Sequence, residues 1–575
     1  MAMNIEQMVD EIVTTDYLII GGGVSGCTSA LTAKKKNPDM KILILEKAHI
    51  NTSGEVLGVD HNPVQFKLES ELAAKEDFHK AIENWGGLRN SKIVDYFDRN
   101  SYKAFLFMEE LGVSLIEDDG DVKMVSMARP VDPMRTPDGK VMGDTVFYRG
   151  SDIKARLAAE VQKYDIDIMN RTMATSLITK DGAVVGATAV NVRTGKYILI
   201  KAKAVLVATG TINRLATTQY APFPNNLFLN MNNNCNCGEG PILAYKAGAR
   251  LANMEFIMVF PVSAGIGVGH PYYAKMQMFN GQLAREKYPF NPFVKPPVGS
   301  VQPFDLPFTG GIPLADQQNE MFFGDATTFN DVEITHMYFS AAAEKPHAVK
   351  FNSLRGDLSK SCRIQIYPHM VCLLNAGCIS ENEYAETKIK NLYTCGTTNA
   401  DISGGVPICM VWGDRIGRRV ANTLPEIKDP VFDADQIERI RLDKEQTMAP
   451  FTISHGINPL ELEEYVRKVN QYQVGIHKTE DRLKRALELF DRIQEQFIPF
   501  LGASNPHELM RTQEVKHILD TSILHAKASL IRTESRYAPA HYRIDYPETD
   551  NENWMKAIVW EYKDGQETYT LEDRG

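Results

Sequence analysis

Near the N-terminus an apolar run, Tyr17-Leu18-Ile19-Ile20, opens directly into Gly21-Gly22-Gly23-Val24-Ser25-Gly26 and then a helical pattern through Ala30, Leu31 and Ala33. The chemistry offered by this G-x-G-x-x-G spacing is phosphate binding. Gly21 permits a tight turn, Gly23 lets the backbone approach a pyrophosphate, and Gly26 allows close helix–strand packing. Phosphate charge then sits at a helix N-terminus, whose first N–H groups have no intrahelical partner. A glycine triplet alone is a weak signal. Here a second apolar strand, Lys41-Ile42-Leu43-Ile44-Leu45, ends at Glu46, twenty residues after Gly26, where a carboxylate can take a ribose hydroxyl. The competing reading is a merely structural turn.

The fingerprint fits both NAD and FAD. The choice rests on Lys203-Ala204-Val205-Leu206-Val207-Ala208-Thr209-Gly210-Thr211, a further apolar strand ending in small residues. Flavoproteins with two dinucleotide-binding segments return to the same FAD by such a strand after an antiparallel excursion. Residues 173–179, beginning at Met173, and 183–192 have the β-branched, alternating character that excursion needs. FAD is therefore expected over NAD. An ordinary core strand ending at a loop is the plainer alternative for 203–211 alone.

The whole chain sets limits on the rest. Its 575 residues, 43% hydrophobic and 24% charged, have the balance of a globular protein with two to four domains. A formal charge of −10, with Lys34-Lys35-Lys36 as the one short basic run, argues against a nucleic-acid surface. That run reads as a solvated helix face. The first fifteen residues carry acids and no signal-peptide core, so a cytoplasmic location is expected. The longest apolar stretch, 251–269, is interrupted by Glu255, Pro261 and glycines, and reads as a buried junction rather than a transmembrane segment. The eight cysteines are scattered, and Cys235 with Cys237 lacks the four-thiolate spacing of an iron–sulfur cluster. No metal site is expected on this chain.

Several stretches resemble one family. Glu46-Lys47-Ala48 followed by Ser53-Gly54 is similar to the loop by which adenylylsulfate reductase alpha subunits wrap the flavin. Cys237-Gly238-Glu239-Gly240 with Ala244 and Gly248-Ala249 resembles the "GDG…A…AGA" segment of the fumarate reductase and succinate dehydrogenase flavoproteins, Glu239 standing for the usual Asp. Asn391 to Gly396 resembles their "LYAAGE" return strand, Gly310-Gly311 with Glu320-Met321 their cap loop, and Arg532-Thr-Glu534-Ser-Arg536 with His541, Arg543 and Asp545 their "R.ESRG.H.R.DYP" tail. The likeness runs from residue 16 to residue 556, and its nearest form is the adenylylsulfate reductase alpha subunit. It implies an α/β fold: a two-dinucleotide-binding, Rossmann-like FAD domain with an inserted α+β capping domain and a C-terminal helical domain. The expected boundaries are 1–254 (with a helical insertion at about 63–150), 255–358 for the cap, 359–425 for the second FAD section and 426–575 for the helical domain. Within the last, Leu483, Leu487, Phe490, Ile493 and Phe497 form a stripe at helical spacing that reads as a bundle core.

The resemblance also implies site residues. Noncovalent FAD would be held by Gly21, Gly23, Val24, Ser25, Gly26, Glu46, Lys47, Ser53, Gly54, Met173, Ala208, Thr209, Gly210, Glu239, Gly396 and Ile408. The covalent-attachment histidine motif is absent. Pro368-His369 occupies the place of a flavin-facing histidine, which makes His369 the first catalytic candidate, with Asn62 and His336 behind it; each could instead be a packed structural residue. Arg532, Glu534, Arg536, His541 and Asp545 read equally well as a salt-bridge staple or as a face toward an electron partner.

The chain departs from fumarate-reducing relatives where they carry substrate arginines. Residues 331–336 and 399–408 contain none, and Arg is the side chain that grips carboxylates bidentately. The expected activity is two-electron chemistry on a small-molecule substrate between flavin and cap, with electrons exchanged through a ferredoxin-like partner that carries the [4Fe-4S] clusters. Adenylylsulfate reduction to sulfite and AMP is the leading form. An enoate reductase of fumarate reductase type and a flavin electron-transfer subunit without its own substrate are the alternatives.

Overall fold

In a computed structural model of the protein, the described residues are 5–55, 61–63, 88–100, 102–113, 124–125, 145–147, 150–216, 235–263, 276–278, 322–325, 363–402, 405–537 and 540–575. Strand β1 (Glu11–Ile20) leads through the glycine turn into helix α1 (Val24–Lys36) and strand β2 (Ile42–Glu46). Tyr17 to Ile20 are buried on successive positions rather than alternately, as expected of a parallel strand covered on both faces. Lys34 departs from the solvated-face reading: it is 6% exposed, its Nζ donating to the carbonyl of Met40, while Lys35 and Lys36 are exposed.

The next segment holds strand β3 (His61–Pro63), helices α2 (Ser91–Asn100) and α3 (Tyr102–Glu110), and strands β4 (Met124–Val125) and β5 (Thr145–Phe147). The described residues of the expected insertion thus hold both helices and short strands. Its three strands pair antiparallel in the order β3–β5–β4. Such two- and three-residue strands carry too short a pattern to be read from sequence.

Helix α4 (Gly150–Val161) and strand β6 (Asp167–Asn170) return to the main sheet, followed by β7 (Thr172–Lys180), β8 (Ala183–Asn191) and β9 (Tyr197–Val207). The antiparallel excursion is β7–β8, as expected. β9 pairs in parallel with β1 along its length, and antiparallel with β8 only over Tyr197–Lys201. Its far end, Val205–Val207, pairs in parallel with the return strand that comes later in the chain. One strand therefore joins its own hairpin to two segments remote in sequence.

Helix α5 (Glu239–Lys246) and strand β10 (Leu251–Ala252) lead to β11 (Ile257–Ser263), β12 (Met276–Met278), β13 (Phe322–Asp325) and β14 (Arg363–Leu373). The last four make an antiparallel sheet ordered β11–β14–β13–β12. After β15 (Gly377–Cys378), the return strand β16 (Leu392–Thr394) joins β9, and helix α6 (Val406–Thr423) follows. α6 lies directly on α1: a Cβ placed on Gly413 would fall 2.7 Å from the Ser25 carbonyl oxygen, and one on Gly417 2.5 Å from that of Ser29.

The C-terminal region holds α7 (Ala434–Met448), α8 (Pro459–Val469), β17 (His477–Lys478), α9 (Glu480–Gln496), α10 (Pro506–Ile531), β18 (Tyr542–Arg543), and the hairpin β19 (Ala557–Lys563) and β20 (Gln566–Glu572). Leu483, Phe490 and Ile493 of the predicted stripe are buried, and Leu487 and Phe497 pack against them. The hairpin seats β19 on β10, so the helical region ends in strands that tie it back to the rest. The tail charges are a staple: Arg532 donates to Glu255 (2.6 Å) and Glu534 (2.9 Å), Arg536 donates to Glu534 (2.6 Å), and all four side chains are 0% exposed. Side chains so placed cannot face a partner directly.

A second buried network ties α8 and α10 to the flavin-type sheet. Arg214, beyond β9, donates to Glu463 and to Glu514 (2.8 Å), and Arg511 donates to the same carboxylates at 2.7 and 2.5 Å. Burial would raise the Glu514 carboxyl, but Lys47, Arg214 and Arg511 hold it far below its ordinary range. Removing one member of a buried ion network leaves uncompensated charge, at a cost of about 3–5 kcal/mol. Glu514→Gln should lose stability of that order in guanidinium unfolding; a loss under about 1 kcal/mol would show that the network is dispensable.

Candidate FAD site

The turns that follow the parallel strands wall a single cleft. Gly21, Gly23, Val24 and Ser25 come after β1, Glu46, Lys47 and Gly54 after β2, Ala208, Thr209 and Gly210 after β9, and Gly396 after β16; Met173 and Glu239 close the sides. Its empty space is about 1020 Å³, counting the open mouth.

Each glycine of the fingerprint has its own surroundings. Gly21 has φ +108°, and a Cβ there would lie 2.4 Å from the Ala208 carbonyl oxygen. On Gly26 a Cβ would fall 2.0 Å from the oxygen of Gly21, so helix and strand meet backbone to backbone. Gly23 differs: a Cβ there meets only Gly54 Cα, at 3.8 Å, and otherwise projects into open space. Gly23 is the N-cap of the 13-residue α1 and Gly405 that of the 18-residue α6, neither offering a side chain to cap the first N–H groups, and Gly23, Gly405 and Val406 all line the cleft. Two helix N-termini are thus free to receive negative charge.

Glu46 accepts from the Gly22 N–H at 2.8 Å through one oxygen and from the Ala48 N–H at 2.7 Å through the other. Each oxygen keeps a second lone pair for a ribose hydroxyl. Lys47 pairs with Glu239 at 2.7 Å and Glu514 at 2.9 Å. Burial opposes the lysine's charge, but Cys237, Glu239 and Glu514 around it hold its pKa well above the ordinary value. The same lysine keeps Glu239 ionised against its own burial. Glu239 is therefore a neutralised wall of the cleft. Thr209 has a buried hydroxyl that makes no hydrogen bond among the described residues, a polar atom awaiting a partner.

Three of the expected cofactor contacts do not line the cleft. Gly26 lies in the helix–strand packing, the Ser53 hydroxyl donates to the Gly22 carbonyl at 3.2 Å, and Ile408 is buried in the core with Met410 and Trp412. Of the catalytic candidates, Asn62 pairs with Val146 in the β3–β5–β4 sheet, while His369 of β14 pairs with Phe260 of β11. They stand in different sheets. His336 lies outside the described residues.

Other residues of the site were not expected. Lys154 of α4, 0% exposed, donates to the Gly22 carbonyl and so holds the glycine turn from below. Thr398 and Thr397 hydroxyls accept from the N–H groups of Gly210 (2.9 Å) and Thr211 (3.1 Å), fixing the second turn to the return strand. Glu55 lines the cleft and accepts from Asn213 (3.0 Å) and Asn236 (2.8 Å); burial raises its pKa. A Gly54-Glu55 pair beside the predicted loop was the nearest available signal. Nothing local marks Lys154.

The paired sheet ends, the uncapped helix N-termini, the open space over Gly23 and the unpartnered Thr209 hydroxyl fit FAD, and define a flavoprotein of the two-dinucleotide-binding class. The family profile described as FAD binding domain matches residues 16–271, and that described as fumarate reductase flavoprotein C-term matches 463–575. An FAD-dependent oxidoreductase of Methanocaldococcus jannaschii without assigned function is 26% identical over 95% of this chain and 96% of its own. A chain of the CoM/CoB fumarate reductase of Methanothermobacter marburgensis is 22% identical over 96% of this chain and 98% of its own. Among solved structures, quinol fumarate reductase of E. coli superimposes with a TM-score of 0.80 at 18% identity, covering 98% of this chain and 97% of that one. Adenylylsulfate reductase of Archaeoglobus fulgidus gives 0.78 at 20% identity over 99% and 97%. The chain belongs to the fumarate reductase and succinate dehydrogenase flavoprotein superfamily and is an FAD-dependent oxidoreductase. These similarities do not separate the fumarate and adenylylsulfate branches. Among the described residues no helix is long and apolar enough to cross a membrane.

Gly23→Leu should keep the fold, as seen by far-ultraviolet circular dichroism, yet lose the yellow flavin, because its side chain enters only the space meant for the pyrophosphate. Gly26→Leu should fail to fold. Full flavin occupancy in the Gly23 variant would remove the fingerprint from the site. FAD should be released intact on acid precipitation of the wild type; flavin left in the pellet would mean a covalent link.

Proposed function

We propose that this protein is the catalytic flavin subunit of an adenylylsulfate reductase-like enzyme, working in the cytoplasm. FAD, when bound, supplies a group that takes up a hydride equivalent and passes electrons singly, which suits exchange with a ferredoxin-like subunit bearing [4Fe-4S] clusters. Residues 255–358 act as the cap over the substrate. The observation that carries this reading is the absence of arginine from 331–336 and 399–408, where fumarate reductases protonate and clamp a dicarboxylate, in a chain that otherwise keeps the superfamily fold.

The chain's own residues have distinct parts. The first turns of α1 and α6 and the Glu46 carboxylate hold the cofactor, and the Lys47–Glu239–Glu514 network fixes the wall beside it. His369 acts on the substrate as hydrogen-bond donor or proton carrier, imidazole being the side chain that titrates near neutral pH. Asn62 orients the substrate, and His336 is a further candidate for proton transfer. A second reading, an enoate reductase, draws support from the relatives named as fumarate reductases, such as that of Methanothermobacter marburgensis.

Oxidation of reduced viologen should proceed with adenylylsulfate and stay marginal with fumarate. Fast fumarate reduction would mean that arginines elsewhere, such as Arg285 or Arg355, form the clamp. His369→Asn should retain FAD while turnover falls by roughly two to four orders of magnitude, the scale of a lost general acid or base. Unchanged turnover would end its catalytic assignment, and loss of flavin would make it structural.

A further inference from the structure

Away from the cleft, four polar side chains meet where the C-terminal helices join the start of β11. They are Lys478 on β17, His525 on α10, His541 just before β18 and Glu255 just before β11, each 0% exposed. In each, one atom makes no hydrogen bond among the described residues: Lys478 Nζ, His525 Nε2, His541 Nδ1 and Glu255 Oε2. Their remaining bonds fix them in one neighbourhood. His525 Nδ1 lies 2.7 Å from the Met254 carbonyl, Arg532 Nε donates to Glu255 Oε1 at 2.6 Å, and His541 Nε2 lies 3.3 Å from the Arg532 carbonyl. Lys478 pairs in register with Arg543, two residues beyond His541.

The donor and acceptor types decide what belongs there. A carbonyl only accepts, so His525 Nδ1 and His541 Nε2 carry the protons in their bonds. Burial pushes His525 down to about 3 and His541 well below the usual histidine range, so both rings are neutral and their free nitrogens are acceptors. The free oxygen of the Arg532-paired Glu255 carboxylate is a third acceptor, and Lys478 is the one donor. An anion would meet three acceptors against that donor. A metal ion is no better placed, since among the described residues no three His, Cys, Asp or Glu side chains converge at the short distances of metal coordination, whereas water bridges polar atoms set farther apart. Water donates and accepts, and buried water typically makes about three hydrogen bonds.

We propose that Lys478, His525, His541 and Glu255 enclose ordered internal water that links the lysine to its three acceptors and holds one exchangeable proton at the root of β11. Burial and then Arg543 lower Lys478 to about 7, against the pull of Glu255. Burial also raises Glu255, opposed by Arg532 and, more weakly, reinforced by Glu534. The proton therefore sits between an amine and a carboxylate that both resist charge. β11 starts two residues beyond Glu255, with the Ile257 N–H on the Ala540 carbonyl at 3.0 Å, so the site anchors the strand that pairs with β14.

The sign of the pH effect follows. The folded-state value of Lys478, about 7, lies below its unfolded value of 10.5. Between these limits the unfolded chain holds a proton that the folded chain lacks, so stability rises with pH across that window; below it the full cost of a buried ammonium is present. Thermal unfolding of full-length, FAD-loaded wild type and Lys478→Met from about pH 6 to about pH 10 tests this. The variant should melt higher than wild type at the acid end, the gap closing toward the alkaline end. A gap that does not change with pH would overturn the proposal. Should Lys478→Met not fold, Lys478→Gln carries the same comparison. A high-resolution crystal structure should show water bonded to Lys478 Nζ and at least two of the acceptors; direct Lys478–Glu255 contact, or an anion in that place, would equally overturn it.

Discussion

The contact on which the site depends is the backbone approach of α6 to α1. Gly413 and Gly417, one turn apart on one face, put α6 within van der Waals distance of the Ser25 and Ser29 carbonyls, where no side chain fits. That approach joins segments nearly four hundred residues apart in sequence. It sets two uncapped helix N-termini, at Gly23 and Gly405, around a single cleft. Without it, the β1 turn would still bind phosphate, but nothing would bring the return strand's Gly396 and the start of α6 to the cofactor's other end. β9 makes the same junction from beneath, pairing β1 on one side and β8 and then β16 on the other.

What could be read from the sequence was what is local. The glycine turn, the β2 carboxylate, the antiparallel excursion and the return strand each lie within about twenty residues, and backbone geometry alone assigns their roles. The G-x-x-x-G of Gly413 and Gly417 is equally local, but its meaning is not, since only the helix packed against it shows why a side chain is forbidden there. Lys154 could not be read at all: a lysine in an amphipathic helix looks solvated until tertiary structure places a carbonyl above it. Short strands such as β3 and β4 failed for the same reason, since pairing rather than pattern defines them.

Buried charge is the second thing that sequence hides. Lys47 and Glu514 are 467 residues apart, and a sequence shows neither that they meet nor that both leave water. Glu239 was expected to hold FAD; the structure places it at the cleft but spends one of its oxygens on Lys47 and the other on Cys237. The tail motif showed the opposite case. Its residue types admitted a partner-facing role, and only the complete burial of Arg532, Glu534 and Arg536, with both arginines sharing Glu534, identifies a staple there, while Asp545, paired with Arg543, stays exposed. Charged residues in a recognisable motif therefore carry little functional weight until their exposure is known.

The cleft that takes the dinucleotide is made of backbone turns, helix N-termini and ion pairs locked between distant segments, so it tolerates little change. This is why a chain at about one-fifth identity keeps the fold of both a fumarate reductase and an adenylylsulfate reductase, and why the fold by itself names the cofactor and not the substrate.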